Sequence, residues 1–308
     1  MRAFQRTRPG HAELRQVSKS DPAEGDVLVE VRYAGVNPFD MQVLRGEIGP
    51  ASDQPLTLGA EATGTVDGEL VQVSGGGLGV TRAGTFVDHV IVPRTAVTRL
   101  PSGADAAKVA SIGIAGKTAW RAVHQLAKVG PEDVVLVLGA SGGVGMFAAQ
   151  LARLTGATVL GHTANAEKAA RLEDLDVEPL RADSASTVAR GVAQREVSVV
   201  LDPLGGDYLS SLMAVLRPKA RAVTYGVLAG RTTQIDLGRL YGMGLTIHGT
   251  SGGTSSAAEA EEALAGSLDA VLAGRVEVES EVIPLAEAAG AFDRLAQRDV
   301  FGKLLLQP

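Results

Sequence analysis

The spacing of hydrophobic residues differs between the first hundred residues and the rest of the chain. Residues 27–31 alternate in part between apolar and polar positions, and residues 64–73 and 85–92 are further short segments that favour strands. Glycine and proline separate these segments, which is typical of strands joined by irregular connections. The pattern predicts that the first part of the chain is rich in β-structure.

Helical spacing appears later and then alternates with short apolar runs. Residues 104–127 predict two helical stretches, broken around residues 113–116. Beyond them we predict strands at residues 134–138, 157–163, 197–201, 221–226 and 245–248, and helices at residues 144–155, 166–174 and 208–216. Such alternation is typical of a doubly wound parallel sheet with helices on both faces.

The last sixty residues mix both patterns. They predict a helix at residues 257–273, a short strand around residue 282, a helix at residues 285–296 and a strand at residues 304–306. We interpret this tail as a return of the chain to its first domain. The predicted fold class is therefore α/β, with a parallel-sheet domain over residues 113–251 and a β-rich domain over residues 1–112 that residues 252–308 complete. Ligands are expected between the domains, outside the carboxyl ends of the parallel strands.

A glycine-rich turn, GASGGVG at residues 139–145, joins a buried strand to a helix. Ala140, Gly142 and Gly145 occupy the three positions of the dinucleotide fingerprint, with alanine in place of the first glycine. Glycine at 142 lets a pyrophosphate approach the backbone, and glycine at 145 lets the helix pack closely on the strand. Because a helix start also offers free N–H groups to an anion, we predict a dinucleotide site. It also includes Ser141, Gly143 and Val144.

The end of the next strand indicates which dinucleotide binds. An NAD-specific site places a carboxylate on the ribose 2′-hydroxyl at this point, but the chain has Thr163, Ala164 and Asn165 there. Lys168 and Arg171 follow, and they suit the extra phosphate of NADPH, although either alone is equally compatible with a solvated helix face. We therefore predict NADPH as the cofactor, with Thr163, Asn165 and Lys168 in its site.

Composition restricts the class of protein. The 308 residues suffice for two domains, and the net charge of −6 disfavours a nucleic-acid or anionic-membrane surface. The absence of cysteine excludes disulfides, thiolate catalysis and cysteine-ligated zinc. The segment MRAFQRTRPG has no hydrophobic signal core, and no apolar run approaches the roughly 20 residues that span a bilayer. A cytoplasmic protein without nucleic-acid or membrane partners is expected.

Several segments together resemble one protein family. They are GVNPFD (residues 35–40), LGAEATG (58–64), IAGKTAW (114–120), GASGGVG (139–145), LDPLGG (201–206) and the closing Gly302-Lys303. In this order they are similar to the medium-chain dehydrogenase/reductase superfamily, and most closely to its zinc-free quinone oxidoreductase branch, which includes zeta-crystallin. The resemblance implies a Rossmann cofactor domain beside a β-rich GroES-like catalytic domain.

The same resemblance argues against a metal. Zinc-dependent members begin their site with a cysteine and continue with GHE, whereas this chain has no cysteine and reads Gly59-Ala60-Glu61. Its five histidines are scattered, so we expect no zinc site and interpret each histidine as structural. Glu61 is interpreted as a turn carboxylate.

The resemblance also implies the residues near the reacting groups. Asn37 and Asp40 lie on the loop that faces the nicotinamide, where an amide can hydrogen-bond an acceptor oxygen. Both are predicted catalytic residues, with a turn-forming role as the alternative. Lys303 is expected near the cofactor at the domain junction, with a surface lysine as the alternative.

Three further positions are predicted to contact the nicotinamide end of the cofactor. Thr118 matches the family threonine near the carboxamide, with a simple helix cap as the alternative. Backbone groups of Gly226 and Val227 are implied at the end of a sheet strand. Two tyrosines of some relatives are replaced here, by Gln42 and by Asp183, and Asp183 would repel a 2′-phosphate if it pointed inward.

The leading interpretation is an NADPH-dependent reductase of quinones or related conjugated carbonyls. Reduction of the double bond in enals, enones or enoyl thioesters is a second enzymatic interpretation, and a non-catalytic NADPH-binding protein is a third. Residues 245–251 read as the last strand of the cofactor domain, and an exposed sheet edge invites pairing. We therefore expect a homodimer.

Overall fold

The computed structural model of the chain describes residues 1–50 and 54–308. The strands are β1 (Arg2–Arg8), β2 (His11–Gln16), β3 (Asp26–Val36), β4 (Leu56–Thr57), β5 (Glu61–Val66), β6 (Glu69–Ser74), β7 (His89–Pro93), β8 (Val97–Arg99), β9 (Val134–Val137), β10 (Thr158–Thr163), β11 (Glu178–Arg181), β12 (Val199–Asp202), β13 (Arg221–Thr224), β14 (Thr246–Gly249), β15 (Ser280–Pro284) and β16 (Lys303–Gln307). The α-helices are α1 (Pro38–Arg45), α2 (Ala106–Val109), α3 (Lys117–Trp120), α4 (Gly143–Leu154), α5 (Ala166–Glu173), α6 (Ala185–Val192), α7 (Asp207–Met213), α8 (Leu237–Met243), α9 (Ala257–Leu272) and α10 (Ala288–Ala296).

The chain divides into two compact units. The β unit comprises Met1–Ile114 and Val278–Pro308, and the α/β unit comprises Ala115–Glu277. The return to the first domain, predicted at residue 252, therefore comes later. Helix α9 belongs to the α/β unit because Gln125 donates to the Glu259 carbonyl at 3.0 Å and Gly266 leaves room for the Trp120 ring.

The β unit contains two sheets. One has three strands in the order β2-β1-β4, and the other has the order β15-β16-β3-β5-β6-β8, with β7 also paired to β3. Strand β16 pairs antiparallel with β3, so the end of the chain supplies an inner strand of this sheet. The segment predicted as one strand at residues 64–73 is a hairpin, because Asp67 and Gly68 turn the chain with positive φ between β5 and β6.

The α/β unit has one six-stranded parallel sheet in the order β11-β10-β9-β12-β13-β14. This is the order of a dinucleotide-binding Rossmann sheet, which confirms the predicted fold class. Side chains from its inner strands, such as Leu136, Leu160 and Val200, are fully buried between the helical layers. Strand β14 lies at one edge, as predicted, and β11 lies at the other.

Strand β11, helices α6 and α8 and two π-helical turns near the start of the α/β unit were not predicted. Strand β11 and helix α6 were missed because their few apolar residues are separated by charged and small polar residues. The helix break expected around residues 113–116 is instead a π-helical turn, Ile112–Gly116, and a second π-helical turn follows at Arg121–Leu126.

Over residues 1–50 and 54–308, the helices are too short or too polar to cross a bilayer.

Candidate functional site

The turn between β9 and α4 is shaped by close backbone contacts. Gly139 has φ 59°, and its carbonyl accepts the Gly142 N–H at 3.0 Å. A Cβ at Gly145 would lie 2.3 Å from the Gly139 carbonyl oxygen, so only glycine fits there. A Cβ at Gly142 would have a single neighbour, the Gly139 oxygen at 3.5 Å, and otherwise open space. The two glycines thus differ, one serving packing and the other leaving the turn accessible.

Helix α4 begins at this turn and presents its first N–H groups to the open space. First-turn N–H groups have no acceptor within their own helix, and the helix dipole adds partial positive charge. Gly142 is the N-cap, no side chain caps the helix, and the first turn carries no acidic residue. Gly143, Val144 and Gly145 therefore suit an anionic pyrophosphate, so the turn fits a dinucleotide.

The carboxyl end of β10 lies beside this turn. The hydroxyls of Thr163 and Ser141 are 3.4 Å apart, and the Asn165 N–H donates to the Thr163 hydroxyl at 3.3 Å. Asn165 is the N-cap of α5, since its side-chain oxygen accepts the Lys168 N–H at 3.0 Å. Thr163 and Asn165 are thus tied to the local backbone, and neither position carries the carboxylate of an NAD-specific site.

His162 has a structural role here. Its Nδ1 accepts the Gly139 N–H at 3.3 Å, and its Nε2–H donates to the Ala182 carbonyl at 3.1 Å. The ring therefore ties the turn to the segment after β11. This agrees with the interpretation of that histidine as structural.

Polar groups without partners lie at the carboxyl end of β13. The Tyr225 hydroxyl is buried and has no hydrogen-bond partner among the described residues. Burial raises its pKa, so the hydroxyl stays protonated. A Cβ at Gly226 would lie 2.5 Å from the Pro203 carbonyl oxygen, which requires glycine there. Within the described part of the chain, the N–H groups of Gly226 and Val227 have no protein acceptor, which suits a polar ligand group.

Thr118 is the second residue of α3, and the N-cap of that helix is Gly116. The alternative role of Thr118 as a simple cap is therefore wrong. The side chain is half-buried, and its predicted contact with the cofactor stays a prediction.

Lys303 lies in the interior of the β unit. Its side chain is 3% exposed, and its ammonium donates to the Glu61 carboxylate at 2.9 Å, the Asn37 side-chain oxygen at 2.6 Å and the Val36 carbonyl at 3.2 Å. An ammonium group has three N–H donors, and all three are used. Lys303 is thus neither a surface lysine nor free to donate to a cofactor in this arrangement.

Asn37 is held by the same network. Its amide nitrogen donates to Glu61 at 2.8 Å and to the Gly35 carbonyl at 3.2 Å, while its oxygen accepts from Lys303. The residue is 3% exposed. Both amide N–H groups therefore bind protein acceptors, so the predicted bond to an acceptor oxygen would require one of them to be released.

Glu61 has a larger structural role than its sequence indicated. It opens strand β5, is fully buried and accepts the Ile114 N–H at 2.6 Å, so its interpretation as a turn carboxylate is wrong. A Cβ at Gly35 would lie 2.5 Å from one Glu61 oxygen, and a Cβ at Gly113 would lie 2.9 Å from the other. Glycine at both positions makes room for the carboxylate.

Asp40 completes the cluster. It is the third residue of α1, and its carboxylate accepts the Asn37 N–H at 2.8 Å in a capping box. Burial raises the pKa of Asp40 to about 7, against the opposing effects of the Asn37 hydrogen bond and the Lys303 charge, and Glu61 adds to the rise. Near neutral pH the interior of the β unit thus holds a carboxyl that exchanges its proton. Over residues 1–50 and 54–308, no three His, Asp or Glu side chains form a group suited to a metal ion.

Each of the two units contains residues that match a known protein family. The family model described as "Zinc-binding dehydrogenase" matches residues 143–267, and the model described as "Alcohol dehydrogenase GroES-like domain" matches residues 23–102. Prostaglandin reductase-3 of Mus musculus is 28% identical over 217 residues, which are 68% of this chain and 57% of that protein. The chain thus matches little more than half of that relative.

Two further proteins are matched over more of their own length. The putative quinone oxidoreductase YhfP of Bacillus subtilis is 30% identical over 70% of each chain. The structure of a quinone oxidoreductase from Pseudomonas syringae superposes with a TM-score of 0.88 at 24% identity, covering 100% of this chain and 99% of that one. Together with the two units and their motifs, these matches show that the chain belongs to the quinone oxidoreductase branch of the medium-chain dehydrogenase/reductase superfamily.

Proposed function

We propose that the protein is an NADPH-dependent reductase of quinones or related conjugated carbonyls and that it needs no zinc. The observation that carries this proposal is the open turn at the start of α4, where close packing demands Gly145 while Gly142 leaves space for a ligand. Membership of the quinone oxidoreductase branch supports the substrate class. A small-molecule substrate, rather than a nucleic acid or a membrane, suits the acidic composition.

In this proposal, different residues of the α/β unit bind different parts of the cofactor. We assign the pyrophosphate to the amides of residues 140–145, the adenosine end to Thr163, Asn165 and Lys168, and the nicotinamide end to Thr118, Gly226 and Val227. When bound, reduced nicotinamide supplies a hydride to an electron-poor acceptor. The orphaned Tyr225 hydroxyl supports the presence of a polar ligand group at the last of these places.

Independence from zinc rests on the residue types. The chain has no cysteine, and Ala60 stands where zinc-dependent members have histidine. Glu61 instead takes its counter-charge from Lys303, which is buried with it. A buried carboxylate needs such a partner because an unpaired charge is strongly destabilising, and here the protein supplies it.

We propose that Asn37 and Asp40 prepare the acceptor side of the reaction. Glu61 and Lys303 hold the Asn37 amide in one orientation, and release of one of its two N–H bonds lets it donate to an acceptor oxygen. Each hydride delivered to a quinone or an enone must be joined by a proton. Asp40, whose carboxylate accepts the Asn37 N–H, has a pKa of about 7 and so carries a proton in part of the molecules near neutral pH. Lys303 becomes a positioning residue in this proposal instead of a cofactor ligand.

A second candidate function is reduction of a conjugated carbon–carbon double bond. The similarity to prostaglandin reductase-3 favours it, and so does the proton at Asp40, because double-bond reduction also needs a proton at carbon. A non-catalytic NADPH-binding protein is the remaining alternative.

One assay separates these functions. NADPH oxidation is followed with 1,4-benzoquinone, 9,10-phenanthrenequinone, crotonaldehyde and crotonyl-CoA. Our proposal predicts turnover with the quinones above the uncatalysed rate. Turnover confined to crotonaldehyde or crotonyl-CoA would favour double-bond reduction, and tight NADPH binding without any turnover would favour the non-catalytic alternative.

We also propose a homodimer formed through the β14 edge. Ile247 on that edge is 37% exposed, and α8, which precedes the strand, has no buried residue and leaves Tyr241 90% exposed. An apolar surface of this kind beside the outer edge of a terminal strand suits a second copy of the chain. The cytoplasm is the proposed location, as the lack of cysteine fits a reducing compartment.

A further inference from the structure

Strand β11 ends in a charged side chain that no sequence pattern singled out. Arg181 is the last residue of β11, the edge strand of the six-stranded sheet, and its side chain is exposed. Within residues 1–50 and 54–308, its guanidinium takes part in no hydrogen bond or ion pair. Arg195, close by, is by contrast bound to Glu178 through two contacts of 2.6 Å. Arg181 therefore has five N–H donors to offer to a ligand.

The register of the sheet places Arg181 beside the predicted cofactor site. Arg181 pairs with Thr163 across the parallel strands β10 and β11, and Ala182 N–H donates to the Thr163 carbonyl at 3.1 Å. Neighbouring strands lie about 4.8 Å apart. Thr163 is the position where an NAD-specific site carries its carboxylate, so the Arg181 backbone lies one strand spacing from that position.

The two faces of the sheet can be told apart at this point. A Cβ at Gly161 would lie 3.2 Å from Leu172 of α5 and 3.1 Å from Ala140, so the Gly161 face carries α5 and the phosphate turn. Side chains alternate along a strand, so Thr163 shares this face and His162 does not. On the opposite face, a Cβ at Gly191 of α6 would lie 2.7 Å from Leu180.

Arg181 follows Leu180 and therefore lies on the face of α5. That helix carries Lys168 and Arg171, which are one turn apart and hence neighbours on its surface. Lys168, Arg171 and Arg181 thus lie on one face of the sheet, next to the end of β10, which carries no carboxylate. Arg171 and Lys168 have partners of their own, which leaves Arg181 as the cation without one.

Asp183 is the negative charge nearest to Arg181 in sequence. Its carboxylate accepts a hydrogen bond from the Thr187 hydroxyl at 2.8 Å. This hydrogen bond is the main cause that lowers the pKa of Asp183. Asp183 is therefore ionised at neutral pH. A dianionic phosphate near it requires a compensating cation, and Arg181 lies two residues away on the same strand end.

We propose that Arg181 binds the 2′-phosphate of NADPH and is the residue that sets the preference for NADPH over NADH. The proposal rests on the proposed function, since it assumes that the α/β unit binds a dinucleotide. A guanidinium recognises phosphate with two parallel hydrogen bonds, which a lysine cannot reproduce. NADH has a hydroxyl in place of this phosphate, so loss of Arg181 affects one cofactor and spares the other.

The test compares Arg181→Ala with wild-type protein in equilibrium titrations of NADPH, NADH, 2′,5′-ADP and 5′-AMP, without substrate. Loss of a charge-assisted contact costs about 1.5–3 kcal/mol, so we expect the Kd of NADPH and of 2′,5′-ADP to rise roughly ten- to a hundredfold. The Kd of NADH and of 5′-AMP should not change, which also shows that the variant is folded. Arg181→Lys should recover part of the NADPH affinity.

Arg190→Ala is the matched control. Arg190 lies on α6, the helix that packs against Leu180 on the opposite face of the sheet, and its charge also acts on Asp183, so its loss removes the same charge from the same surroundings. It should leave the ratio of the NADPH and NADH affinities unchanged. An unchanged NADPH affinity in Arg181→Ala, or equal losses for NADPH and NADH, would overturn the role of Arg181 alone. Failure of wild-type protein to bind any of the four probes would overturn the proposed function together with it.

Discussion

The side chains of Asn37, Asp40, Glu61 and Lys303 form a buried network in which every charge has a protein partner. Lys303 and Glu61 are 3% and 0% exposed, and their attraction must offset the cost of removing both charges from water. The additional bonds from Lys303 to Asn37 and from Ile114 to Glu61 satisfy the remaining polar atoms. Loss of Lys303 therefore removes the only counter-charge of Glu61 in this network, whereas backbone bonds to Val36 and Ile114 depend on no other member.

Lys303→Met should therefore destabilise the protein strongly, because it leaves the Glu61 carboxylate buried without a counter-charge. The free energy of unfolding, measured by urea titration at pH 7, should fall by about 3–5 kcal/mol. The double variant Glu61→Gln/Lys303→Met should lose less than the sum of the two single losses. Arg15→Ala, which breaks an exposed pair with Glu13, serves as the control and should change little. A Lys303→Met protein as stable as wild type would contradict the buried pair.

Asp40 predicts a specific pH dependence of stability. Its pKa is about 7 in the folded protein against an ordinary value of 3.8, so the folded state binds the proton more tightly. The stabilisation from this proton is complete below about pH 4 and is lost as the pH rises through about 7. Between pH 5 and pH 8, the free energy of unfolding of wild-type protein should fall relative to that of Asp40→Asn. Parallel pH profiles for the two proteins would refute the raised pKa.

Sequence alone singled out Asn37, Asp40 and Lys303 but not the network that joins them. Lys303 lies 242 positions from Glu61 along the chain, and its role depends on β16 pairing with β3. Glycines supply the one available indication of a buried Glu61, since Gly35 and Gly113 leave room for it. A glycine pattern does not reveal which distant side chain fills the space, so Glu61 was interpreted as a turn residue.

At the scale of elements, the turn before α4 separates the packing role of one glycine from the binding role of another. Gly145→Ala should destabilise the protein by about 1–3 kcal/mol, because its Cβ would lie 2.3 Å from the Gly139 oxygen. Gly142→Ala should keep wild-type stability, because its Cβ has only one neighbour at 3.5 Å, but its methyl group should weaken NADPH binding. Thermal unfolding and NADPH titration measure the two effects. Gly145→Ala with wild-type stability, or Gly142→Ala with wild-type affinity, would contradict this division.

The elements that sequence predicted correctly are those with a strong period or a buried apolar run. Strands β9, β10, β12 and β13 and helix α4 are of this kind. Strand β11 was missed because an edge strand needs fewer apolar residues, and its sequence EPLR has one large apolar side chain. The domain boundary was placed at residue 252 because the helical pattern of α9 does not specify which unit it covers. Contacts with Trp120 and Gln125 assign that helix to the α/β unit.

At the scale of the whole molecule, the exposed surface of α8 and β14 predicts a dimer. Sedimentation velocity at micromolar concentration should show a species of about twice the chain mass of 31.6 kDa. Tyr241→Glu should shift the protein to the monomer without unfolding it, because Tyr241 is 90% exposed. Leu14→Glu on β2, an exposed residue of the β unit, is the control and should leave the dimer intact. A wild-type protein that stays at the mass of one chain as concentration rises would refute the dimer.

We propose that the chain reduces a quinone with NADPH and without zinc. The most direct test of this proposal is the initial rate of NADPH oxidation with 9,10-phenanthrenequinone, using protein dialysed against a strong chelator. We expect many turnovers per chain, a lower apparent KM for NADPH than for NADH, and no increase in the rate when zinc is returned. Activity that appears only after zinc is added, or no turnover above the uncatalysed rate with any quinone, would contradict it.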